Sequence, residues 1–139
     1  MSTVIRPEIS ERSAFYISKH RYYELKHFCL QYPEWREKLK QIDGLIVNRD
    51  RFAAGAKGGG YSDPTALYAE ARVFLSQRME MVDRAAEKAC GYLAKAMIES
   101  VTHGISYEKM AARGLVCCGK EAWYAAYRKF FWLLDKSRK

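Results

Sequence analysis

An all-α fold, with an N-terminal helical hairpin, a long central helix and a C-terminal helix-turn-helix, is predicted by three observations. Apolar or small residues at Leu75, Met79, Val82, Ala86, Ala89 and Leu93 alternate spacings of four and three, which lays one stripe along one face of a helix. Trp123, Tyr127, Phe130 and Leu134 repeat that rhythm near the C-terminus. Between these runs, residues that start and stop helices recur at suitable intervals.

The first element is an aromatic hairpin. Residues 13–42 carry Phe15, Tyr16, Tyr22, Tyr23, Phe28, Tyr32 and Trp35, interrupted by Pro33. Proline disfavours helix at the residue before it and suits a first helical turn, so one helix is predicted to stop near Gln31 and another to start near Pro33. The aromatics then serve core and inter-helix packing. The stretch from Gly44 to Asp63 contains Gly55 and the triplet Gly58, Gly59 and Gly60, and it reads as a loop or linker. It lacks the GxxxxGK[ST] arrangement of a phosphate-binding loop.

The central helix is announced by Ser62 or Asp63 as cap and by Pro64 in the first turn. Its stripe needs a partner, either the aromatic hairpin or the same helix of a second chain. Gly91 breaks or bends it, and a further helix covers roughly residues 92–101 before His103 and Gly104, where glycine suits the left-handed C-terminal position. The segments are thus 1–61, hairpin and Gly-rich loop; 62–104, the central helix and the one after it; and 105–139, the helix-turn-helix.

In the last segment Ser106 caps a short helix through about Ala112, and Arg113-Gly114-Leu115-Val116 supplies a glycine-bearing turn. The second helix begins near Gly119. At about 100° per residue, Trp123, Tyr127, Phe130 and Leu134 form its packed side, extended by Leu133. Glu121, Ala125, Arg128, Lys129 and Trp132 fall opposite, with Lys120 and Tyr124 at the boundary. In a helix-turn-helix that outer side enters the major groove. Lys120, Glu121, Tyr124, Ala125, Arg128 and Lys129 are therefore the candidate DNA-binding residues. Ala125 permits close approach to the groove floor, and Arg128 can donate two hydrogen bonds to guanine or grip a phosphate.

Composition favours this partner. The 139-residue chain is 49% hydrophobic and 29% charged with a net charge of +8, enough for a core and a surface biased toward polyanions. From His103 onward, eight Lys and Arg face three Asp and Glu, so +5 of the +8 sits in the final quarter. No apolar run approaches the roughly 20 residues that span a bilayer, and the opening residues lack a secretory core, so a cytoplasmic protein is expected.

Catalytic patterns are missing. The cysteines Cys29, Cys90, Cys117 and Cys118 show no CxxC spacing and read as reduced, structural thiols. His27 and Cys29 lie two residues apart, a poor metal pair on a helix. No serine sits in GxSxG and no DxD is present. Neither an enzyme nor a bound cofactor is expected.

Cys118-Gly119-Lys120-Glu121, Trp123-Tyr124 and the closing Arg128-Lys129-Phe130-Phe131-Trp132-Leu133-Leu134, with the entry Gly58-Gly59-Gly60-Tyr61-Ser62-Asp63-Pro64-Thr65, carry a resemblance from about Gly58 onward. The chain resembles the RinA/ArpU-like late-transcription regulators of phages and prophages of Gram-positive bacteria. The resemblance implies a DNA-binding activator of phage late genes, acting in the bacterial cytoplasm through a reader similar to region 4 of sigma factors. Where relatives often place further arginines, this chain has Ala126 and Tyr127. That thins the basic face, so a homodimer or host RNA polymerase is expected to supplement affinity. Two alternatives come from other classes: a DNA-packaging protein resembling a terminase small subunit, and a protein interaction module or inhibitor whose last helix docks protein.

Overall fold

The computed structural model describes residues 14–53 and 64–138, and every element among them is helical. The order is α1 (Lys19–Leu30), α2 (Tyr32–Ala53), α3 (Pro64–Cys90), a 3-10 turn (Gly91–Leu93), α4 (Ala94–His103), α5 (Tyr107–Ala112) and α6 (Lys120–Ser137). The all-α class stands. None of these helices is long and apolar enough to cross a membrane.

Helix boundaries follow local chemistry. Ser18 caps α1 by accepting from the Arg21 amide, and Ser106 caps α5 by accepting from that of Lys109. The break between α1 and α2 falls on Gln31, and Pro33 occupies the first turn of α2, where its missing N–H costs nothing. Gly91 and Gly104 both have positive φ, at 55° and 66°. The first accompanies the 3-10 turn that ends the long helix, and the second lets α4 stop in a left-handed cap.

One expectation is corrected. Residues 44–53, read from the sequence as the start of a loop, continue α2. A single interior glycine costs only about 1 kcal/mol relative to alanine, too little by itself to stop a helix at Gly44. The remainder of that loop and the Ser62 and Asp63 cap lie outside the described residues.

The chain divides into two compact units, one formed by the residues through Gln31 together with those from Met81 onward, the other by Tyr32–Glu80. These group the chain differently from the three segments read in the sequence. In the first unit α1 packs on both α4 and α6. Tyr22, Leu25, Phe28 and Cys29, spaced to share one face of α1, are buried there with Val82, Ala86, Met97, Val101, Trp123, Phe130, Phe131 and Leu134. The buried hydroxyls are satisfied locally: Ser100 donates to the carbonyl of Ile105 and Thr102 to that of Ile98, each at 2.6 Å. In the second unit Tyr32, Trp35 and Leu75 are buried, and Arg72 on α3 donates to Asp43 on α2 at 2.8 Å.

Candidate nucleic-acid interface

The C-terminal pair of helices is assembled by its turn. After α5, Gly114 adopts a φ of 72°, and the next amide, Leu115 N–H, donates back to the Met110 carbonyl at 3.0 Å. This reversal sends Met110 and Val116 into the core. The Tyr107 hydroxyl then spans the turn and donates to the Cys118 carbonyl at 2.7 Å, while its ring meets those of Trp123 and Tyr124. The first residue of α5 thereby fixes the residues that launch α6.

Three layers of contact hold the back of α6 to α1. The Tyr22 and Tyr127 hydroxyls are hydrogen-bonded at 2.8 Å, Phe131 meets Tyr22 edge-on at 5.1 Å, and Arg21 Nε donates to Asp135 at 2.6 Å. At the far end the Arg138 guanidinium lies 3.9 Å from the Phe28 ring centroid. Trp123, Phe130 and Leu134 are buried as their spacing predicts. Tyr127 is half-buried, with its hydroxyl committed to Tyr22. Leu133, expected to extend the packed side, is only half-buried, and Phe131 takes that role instead because α1 covers its flank.

The outer side opens at the start of the helix. Lys120, Glu121, Ala122 and Ala125 are exposed, Arg128 and Lys129 are half-buried, and Tyr124 turns partly inward against Tyr107 and Tyr127. Gly119, the N-cap, offers no side-chain hydrogen bond, so the first amides of α6 have no capping side chain. Trp132, placed on the outer side by the helical wheel, is covered by Phe15 edge-on and by the Lys136 ammonium 3.7 Å from its ring centroid.

Electrostatics modify the candidate set. Lys120 Nζ sits 3.1 Å from a Glu108 carboxylate oxygen on α5. The Glu108 carboxyl is held below its usual range by a hydrogen bond to its own backbone amide and then by Lys120. Burial, reinforced by the Glu108 charge, pushes the Tyr124 phenol up to about 12, so it remains a neutral hydrogen-bonding group. Burial likewise raises the Cys90 thiol to about 12 against the pull of the nearby Lys129 ammonium.

The six sequence candidates thus share one helix but not one environment. Wheel reasoning passed over Ala122, which lies three residues before Ala125 and flanks the same face. Lys109 and Arg113 on the adjoining helix and turn are exposed beside them in sequence. The clamp of Glu108 on Lys120 crosses a turn of irregular backbone, and no periodicity signals it. Among the described residues no group of three His, Cys, Asp or Glu is arranged to hold a metal ion. Comparison with known proteins finds no match to a family model, a curated protein or a solved structure.

Proposed function

We infer that this chain binds double-stranded DNA with the start of α6 in the major groove and regulates transcription, with late-gene activation in a phage or prophage as the context its sequence resemblance implies. One observation carries the reading: α6 is locked along its back by Trp123, Phe130, Phe131 and Leu134 while Lys120, Glu121, Ala122 and Ala125 face outward just past the turn. In a helix-turn-helix, base contacts come from that N-terminal part of the second helix. Small side chains at 122 and 125 permit close approach, and Arg128 farther along can take a guanine edge or a phosphate. The basic surplus of the segment supports the same partner.

Footprinting on DNA flanking the chain's own gene, with and without RNA polymerase, tests the proposal. A discrete protected site is expected, lost in Arg128→Ala while helicity stays at the parental value. Absence of protection under both conditions removes DNA as the partner, and protection unchanged in Arg128→Ala removes this face as the reader.

A further inference from the structure

On α3, Leu67, Val73 and Phe74 are respectively 59%, 55% and 52% exposed, although large apolar side chains elsewhere in the described helices are mostly buried. Contiguous apolar exposure marks an interaction surface more often than scattered single residues do. The described side chains of α2 leave this face exposed. Its ion pair to α3 runs from Asp43 to Arg72, and Arg72 lies two residues from Phe74, hence nearly opposite it around the helix.

What can cover the face is written in its charges. Glu70, Phe74 and Arg78 are spaced by four, so they stack along one side of α3, and the Arg78 guanidinium already lies 3.7 Å from the Phe74 ring centroid. A two-fold axis through Phe74, perpendicular to the helix, reverses this row onto itself. Phe74 then meets Phe74 of a second copy, and each Glu70 meets the other copy's Arg78. A parallel, in-register pair would set Glu70 against Glu70 and Arg78 against Arg78. The row is self-complementary in the antiparallel sense alone.

We propose that this face is a homodimer interface, formed by antiparallel pairing of α3 helices about Phe74 with two reciprocal Glu70 to Arg78 ion pairs. The interface is isologous, so every substitution acts twice. It does not depend on the DNA reading, because its residues lie outside the C-terminal helices.

Charge reversal on the full chain, followed by sedimentation equilibrium, tests the register. The parent is expected to show a concentration-dependent monomer–dimer equilibrium. Glu70→Arg and Arg78→Glu, each alone, should weaken it by about tenfold, since an attractive exposed pair becomes repulsive at two symmetric places. The double reversal should restore it to within about threefold of the parent, as coupled charges do in a mutant cycle. Phe74→Ser should leave only monomer. None of the three positions is buried, so circular dichroism of all four variants should report parental helicity. A parent that stays monomeric at every concentration overturns the proposal, and that is also the result if a different protein occupies the face. A dimer indifferent to either single reversal, or singles not rescued by the double, overturns it equally.

Discussion

Lys120 is the residue nearest the tip of the proposed reading helix, yet its ammonium is engaged by Glu108 across the turn. A carboxylate beside the groove both occupies a cation and repels phosphate. Glu108→Gln should therefore tighten DNA binding several-fold and steepen the dependence of log K on log salt by about one, the increment of a single added phosphate contact. The same change removes a negative charge from the first turn of α5, costing about 0.5 kcal/mol of stability. Affinity and thermal stability should move in opposite directions, and titrations by fluorescence anisotropy at several salt concentrations decide it. Alkaline pH acts on buried groups instead. Tyr124 titrates near 12 against an ordinary 10, and Cys90 near 12 against 9, both raised by burial. Each is neutral in the folded chain while its unfolded counterpart ionises, so their stabilisation is intact below pH 9 and is lost progressively as pH rises from 9 toward 12. Melting temperatures measured across this range should fall, and Cys90→Ala should flatten the part of the decline that starts near pH 9. An unchanged profile in that variant would place the loss elsewhere.

At the scale of an element, the turn between α5 and α6 depends on Gly114. Its φ of 72° is left-handed, and open space surrounds the position where a Cβ would stand, so backbone conformation alone resists substitution. Gly114→Ala should cost about 1–2 kcal/mol of stability, and Gly114→Asn less, because asparagine visits this region more readily. Thermal unfolding of the two variants side by side tests the ranking; equal losses would point to a steric cause. Glycine in this turn was legible in the sequence, as were the caps at Ser106 and Gly104 and the interruption at Gly91, because each is a local signal. Gly44 carries the same letter but sits inside α2, where no local rule separates a tolerated glycine from a turn glycine. The packed face of α6 was legible in part. Trp123, Phe130 and Leu134 follow from spacing, whereas the burial of Phe131 is set by Tyr22, whose hydroxyl bonds Tyr127 across 105 positions of chain. Helical period reports which residues share a face, not which neighbour will cover its flank.

For the molecule as a whole, net charge overstates what is available to a polyanion. Seven Lys and Arg of the described chain follow His103, and three of them are held within the fold: Lys120 by Glu108, Lys136 on Trp132 and Arg138 on Phe28. Lys109, Arg113, Arg128 and Lys129 remain to meet phosphates. At roughly 0.9 counterions released per contact, these four give a slope of log K against log salt of about −3.6 for one chain and about twice that for a dimer reading two half-sites. The two stoichiometries are thus separable by binding isotherms collected over a tenfold range of salt, with the protein held below and above its self-association range. A slope near −3.6 at low protein that doubles as the dimer forms would support joint action of α6 and the Phe74 face. A slope near zero would mean that the last helix meets protein and not DNA, whatever the net charge of the chain. A slope as steep for the monomer as for the dimer would require basic residues outside the C-terminal helices to touch the duplex, and the reading surface would have to be drawn larger than α6.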